Sequence, residues 1–171
     1  MTGRTLVAGI GNIFLSDDGF GPEVVRELAG EPRPPDVDLV DYGIRGMHLA
    51  YDLLDGYDTL VVIDAMPAAA SGSGAPGTIR VFEVTADDLR GTGVDAHAMD
   101  PLTVLSSLRA LGGRLPRTVV VGCVAEWVDE GIGLSPAVSA AVASGADAVA
   151  ALLIGELARA ATVTTTPPGE R

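Results

Sequence analysis

Lysine is missing from this chain of 171 residues, and all 11 of its basic residues are arginine. A phosphate-binding loop built on Gly-Lys-Ser/Thr, a Schiff-base enzyme and a receiver domain that needs its lysine are all excluded on that ground. Cysteine occurs once, at Cys123, so no internal disulfide and no secreted disulfide framework can exist. Positive charge is scarce: 23 acidic residues against 11 arginines leave a net charge of −12. Such a surface repels nucleic-acid phosphates and anionic lipid, and it favours a basic protein patch or a metal cation. Long hydrophobic runs are lacking too. The apolar stretch Leu6 to Ile10 is too short for a signal-peptide core, and no segment offers the ~18 uninterrupted apolar residues of a membrane span. These absences place the chain in the cytoplasm, with neither nucleic acid nor membrane as a partner.

What remains is 47% hydrophobic, enough to build one substantial core. Short apolar runs at Thr5–Ile10, Val37–Asp41, Thr59–Ile63, Thr78–Val84 and Thr118–Val124 read as five strands, the fourth at an edge. Helical spacing separates them. Pro22 opens a helix with Val24, Val25 and Leu28 on one face and Gly30 as its stop. Met47, Ala50, Leu53 and Leu54 form a second stripe. Asp100-Pro101 caps a third helix carrying Leu102, Leu105, Leu108 and Leu111. Ser135-Pro136 starts a long Ala-rich helix with Val138, Val142, Val149, Leu153 and Leu157 inward. The loop from Met66 to Gly77 is rich in Ala, Ser and Gly and is expected to be mobile. Residues 1–161 read as one domain and 162–171 as a disordered polar tail. Alternation of strands and helices predicts a three-layer α/β fold: a twisted, mostly parallel five-stranded sheet with helices on both faces.

In such a sheet, chemistry collects at the C-terminal strand ends. After the first strand comes Gly9-Ile-Gly-Asn12, then Asp17-Asp18. A dinucleotide-binding reading fails because Phe14 occupies the third glycine position and two carboxylates would oppose a pyrophosphate. As an isolated pair, Asp17-Asp18 would simply be a solvated, helix-capping turn. Asp64, however, ends a buried strand nearby, where a carboxylate is costly unless it is paired, hydrogen-bonded or metal-bound; alone, it could merely cap Ala65 onward. His97 lies in the linker before the Asp100 helix, and His48 sits on a bland helix face. Two carboxylates and one imidazole from three loops could hold a hard-to-borderline cation with open positions. No Gly-x-Ser-x-Gly elbow and no His-Glu-x-x-His helix occurs, and Cys123 lies mid-strand as a core thiol.

Read in order, Gly9-Ile-Gly-Asn12, Asp17-Asp18, Asp41-Tyr-Gly43-Ile-Arg-Gly46 and Ile63-Asp64-Ala65 form a pattern. Pro76-Gly-Thr78, His97, Gly122-Cys-Val-Ala-Glu126 and Gly133-Leu-Ser-Pro136 continue it. The pattern resembles the nickel–iron hydrogenase maturation endopeptidases over residues 5 to 158. This resemblance implies a phosphorylase/hydrolase-like fold and an endopeptidase that trims the C-terminus of the hydrogenase large-subunit precursor after its nickel is inserted. It assigns metal contact and catalysis to Asp18, Asp64 and His97, with Asp18 standing where the family often carries Glu. It assigns substrate recognition to Asn12, Asp41, Gly43 and Glu126. Nickel would then come with the substrate, and no tightly bound resident cofactor is expected. The family's Asp-Gly-Gly-Thr turn is Asp41-Tyr42-Gly43-Ile44 here, a departure that implies altered substrate selection; its Pro-Glu pair is Ala125-Glu126, which keeps the carboxylate but loses the rigid turn. The cleavage route stays open between a metal-polarised carbonyl and a carboxylate general base of the aspartic type. A non-catalytic, chaperone-like metal module that only docks the precursor would share every ligand.

Overall fold

Five strands pair into one sheet in the computed structural model, which describes residues 3–67, 74–90 and 100–164, with side chains as far as Arg159. They are β1 (Thr5–Ile10), β2 (Val37–Gly43), β3 (Thr59–Met66), β4 (Ile79–Val84) and β5 (Arg117–Val124), in the order β2-β1-β3-β5-β4. The first four in that order run parallel, and β4 joins antiparallel at the edge. Helices α1 (Phe20–Ala29), α2 (Gly46–Leu53), α3 (Pro101–Ala110) and α4 (Pro136–Thr164) fill the two outer layers.

The period of two along each strand divides the core in half. Leu6, Ala8, Ile10, Leu60, Val62 and Val120 face α2 and α3, while Val7, Val61, Ile63, Val121 and Cys123 face α1 and α4. Burial on both faces explains why β1, β3 and β5 read as continuous apolar runs. The Asp100 carboxylate accepts the Leu102 N–H at 3.2 Å, and this cap with Pro101 starts α3 as its sequence indicates.

Several elements differ in detail from the sequence reading. α1 begins at Phe20, two residues before Pro22, and its entry is set by a close approach. A Cβ on Gly21 would lie 2.3 Å from the Ile10 carbonyl oxygen and 2.4 Å from that of Ile63, so only glycine fits between β1 and β3. On α2 the buried face is Gly46, Leu49, Ala50 and Leu53, whereas Met47 and Leu54 are exposed; the 3.6-residue period selects one stripe of a short helix. Leu111 is likewise exposed, just past the end of α3.

α4 corrects two expectations. Its Glu156 carboxylate accepts bonds from Thr59 and Arg117, the first residues of β3 and β5, so the sheet ends there. Leu157 is exposed rather than inward. The helix also continues to Thr164, so residues 162–164 extend it instead of starting a tail; residues 165–171 lie outside the described residues. Over Pro136–Arg159 this helix is long and apolar enough by mean hydropathy to cross a membrane, although Asp147 interrupts the apolar run. Its buried side, Val138, Ala141, Ala146 and Val149, instead packs in the core against Val61 and Val121. Half of the Met66–Gly77 loop, residues 68–73, is outside the described residues.

Candidate active site

The connection from β1 moves outward to β2, and the next one returns past β1 to β3. Strand order therefore reverses between β1 and β3, and a crevice opens beyond their C-terminal ends. Asp18 and Asp64 flank that crevice, one following β1 and the other on β3.

Asp64 is held more firmly than a loop residue. It lies within β3, in register with Gly122 of β5, and not at the strand end as its sequence context indicated. Burial pushes its carboxyl well above the usual carboxylate range, and the neighbouring charge of Asp18 adds to the shift. A hydrogen bond from the Ala65 backbone N–H opposes it, and Asp100 adds a smaller upward push. Asp18 is half-buried on a 3-10 turn, Ser16–Gly19, between β1 and α1. Its Oδ2 accepts the Asn12 N–H at 2.7 Å. The loop closes tightly enough for this bond because Gly11 has φ 138°, and a Cβ there would sit 1.9 Å from the Asp18 carbonyl oxygen.

Asn12, Asp41 and Gly43 come together. With Phe14, Ile44 and Arg45 they line a surface cavity of about 260 Å³. A bulge between β1 and β2 shapes it: Gly9 pairs with Asp41 and Ile10 with Gly43, leaving Tyr42 as the extra residue. The Tyr42 ring is buried and its hydroxyl donates to Asp52 at 2.6 Å, so of the altered Tyr42-Gly43-Ile44 turn only Ile44 presents a large side chain to solvent. Asp41 Oδ1 accepts the Gly43 N–H at 2.9 Å. Glu126 stands apart from this cavity, exposed on the β5–α4 loop. A second cavity, about 330 Å³, opens beside Asp64 and is lined by Met66, Phe82, Val84, Asp100 and Leu102. His97 lies outside the described residues.

Asp17, which in sequence reads as half of a solvated, helix-capping turn, is a functional candidate that this reading missed. Asp17 is fully buried, and its carboxylate accepts four hydrogen bonds. Oδ2 takes the Glu126 N–H at 2.8 Å, the Trp127 N–H at 3.2 Å and the Ser135 hydroxyl at 2.9 Å; Oδ1 takes the Ser135 N–H at 2.6 Å. The only hint was the Ser135-Pro136 helix start, whose partner lies 118 residues away.

Chemically, the charge of Asp18 opposes ionisation of the largely desolvated Asp64, and a proton on Asp64 or a nearby cation relieves that strain. Among the described residues no group of three or more His, Cys, Asp or Glu side chains is gathered for a metal ion.

A family model described as hydrogenase maturation protease matches residues 22–152. The hydrogenase 2 maturation protease of Escherichia coli K12 is 34% identical, over 88% of this chain and 90% of that protein. Among solved structures, the hydrogenase maturating endopeptidase HybD from E. coli superposes with a TM-score of 0.75 at 31% identity, covering 89% of this chain and 93% of that one. A [NiFe] hydrogenase maturation protease, HybD from Thermococcus kodakarensis, gives 0.68 at 28% identity, covering 88% and 99%.

Proposed function

This chain belongs to the hydrogenase maturation protease family, and on that footing we propose that Asp18, Asp64 and His97 carry its chemistry. It is an endopeptidase that trims the C-terminus of the hydrogenase large-subunit precursor. The finer reading is that the precursor arrives with nickel inserted and that the nickel is part of the substrate. The observation that supports it is the Asp64 carboxyl, buried beside the charge of Asp18. Asp64, whose ionisation is disfavoured in the free protein by burial and by the charge of Asp18, becomes favourably ionised once a divalent cation is presented to it. The donors are hard to borderline and no thiolate joins them, because Cys123 is buried in the core. This donor set suits brief engagement of a metal held mainly by the precursor, and it does not retain a resident ion.

Asp18 and Asp64 would orient the metal-bearing end of the precursor, with His97 as the third contact. The Asn12, Asp41 and Gly43 cavity would take residues next to the cut, and Glu126 would touch the precursor from the far side of the crevice. Holding the scissile bond beside a carboxylate gives the proximity that hydrolysis needs, and the buried Asp64 is the better placed to accept a proton from water. The reaction is placed in the cytoplasm, with neither nucleic acid nor membrane taking part.

The test is trimming of nickel-loaded and nickel-free precursor by the purified chain, read as a mobility shift on a gel. Trimming of the loaded form only, abolished in Asp18→Asn, Asp64→Asn and His97→Ala, is the expected result. Equal trimming of both forms would remove nickel from the recognition step. One stoichiometric metal that survives dialysis against chelator would instead point to a conventional metalloprotease.

A further inference from the structure

We infer that Asp17 is a positioning residue: its carboxylate locks the β5–α4 loop onto the turn that carries Asp18, so that both sides of the crevice meet the precursor as one rigid body. The inference rests on the functional reading above, since it assigns Asp17 a part in that same reaction.

Asp17 and Asp18 are adjacent on one 3-10 turn, yet they do different work. Asp18 faces the crevice, whereas Asp17 is fully buried among donors from the far loop. Three of its four bonds are backbone or hydroxyl contacts on Oδ2, from Glu126, Trp127 and Ser135, and the fourth ties Oδ1 to the Ser135 N–H. No arginine approaches it through an ion pair among the described residues. The charge is therefore held by dipoles of the β5–α4 loop, which must keep their places to hold it. Ser135 links the loop onward, because its hydroxyl also accepts the Val138 N–H at 3.4 Å at the start of α4.

The neighbouring residue adds to the same seam. Ser16 has a left-handed backbone, φ 51°, and donates its N–H to the Gly131 carbonyl at 2.9 Å and its hydroxyl to the Asp129 carbonyl at 2.9 Å. Gly131 returns an N–H to the Phe14 carbonyl at 2.9 Å. A non-glycine residue keeps that conformation only where its surroundings hold it there. The seam thus joins the loop bearing Asn12 and Asp18 to the loop bearing Glu126, and Asp17 is its buried centre.

The chain's single tryptophan, Trp127, donates its backbone N–H to Asp17, so its fluorescence anisotropy reports the seam directly. Asp17→Asn keeps the shape but places an amide NH₂ among donors. We expect lower Trp127 anisotropy, and a fall in kcat/KM on nickel-loaded precursor on the order of tenfold to a hundredfold, the usual effect of losing a group that orients a metal-contacting residue. Ser135→Ala removes the hydroxyl donor alone and should give a smaller loss, with the double variant well short of additive. Glu156→Gln, at the opposite end of the sheet, is the control, with each variant assayed the same number of degrees below its own Tm. If the control loses as much activity, or if Asp17→Asn and Ser135→Ala both stay within about twofold of wild type with unchanged anisotropy, the positioning role is overturned. Should Asp17→Asn not fold, Ser135→Ala decides by the same two readouts. A wild-type chain that trims nothing would overturn the functional reading and this inference with it, whereas normal trimming in the Asp17 and Ser135 variants overturns this inference alone.

Discussion

Asp64→Asn should make the metal-free protein more stable while abolishing its activity. The substitution keeps the side-chain shape and can still accept the Ala65 N–H, but it removes a buried negative charge beside Asp18. Any two unit charges about 4 Å apart repel by about 4 kcal/mol at an effective dielectric of about 20, which is an upper bound for a carboxylate pair. Asp64 is partly open to the crevice and Asp18 is half-buried, so solvent screening reduces this to about 1 kcal/mol. For a chain of this length that is a rise in Tm of about 2–4 °C.

The pH dependence has a definite sign. The folded-state pKa of Asp64 is raised, so folding favours its protonated form. That contribution is fully present below the ordinary carboxylate pKa and is lost as pH rises through the raised value. The wild type should therefore match Asp64→Asn in acid and fall behind as pH rises towards neutrality. Thermal melts of both proteins across this range, in chelator, measure the gap, and gel-shift trimming of loaded precursor should show a loss on the order of a hundredfold or more. If the variant is instead less stable by about 3–5 kcal/mol, Asp64 is one half of a buried ion pair and its role is structural. A stability gap that does not change with pH would equally refute the reasoning.

Three further outcomes follow from the geometry. Gly21→Ala should leave little folded protein by circular dichroism, because its Cβ would lie 2.3 Å and 2.4 Å from the backbone oxygens of Ile10 and Ile63. Cys123→Ala should keep full trimming with a loss of about 1 kcal/mol in a urea melt; burial pushes this thiol up to about 11, and iodoacetamide should not inhibit the wild type at neutral pH. His97→Ala should abolish trimming of loaded precursor, whereas His48→Ala, on the exposed face of α2, should trim at the wild-type rate.

The sheet was legible because both its faces are buried. Runs such as Thr59–Ile63 carry no polar residue after the first, and only a central strand of a covered sheet tolerates that. Helix faces were less legible where helices are short or overrun the sheet: Met47 and Leu157 are apolar yet exposed, and nothing local distinguishes them from Leu49 or Leu153. The bulge at Tyr42 was hidden for another reason. It depends on the register of β2 against β1, which a single strand does not encode, and it buries the residue at which this chain departs from the family's glycine.

Asp17 and Asp18 show most clearly what a linear reading misses. They have the same side chain, the same local sequence and places one residue apart on the same turn. On a 3-10 turn, neighbouring side chains point about 120° apart, so one can enter the protein while the other faces the crevice. Which of them goes inward depends on donors supplied by Glu126, Trp127 and Ser135, more than 100 residues later in the chain. A resemblance to a family draws attention to Asp18 alone, because a motif lists residue types and not the partners they meet. The inward one is recognisable only from its hydrogen bonds. Because its neighbour's placement follows from those bonds, the precision of Asp18 at the crevice is set as much by the β5–α4 loop as by the loop that contains it.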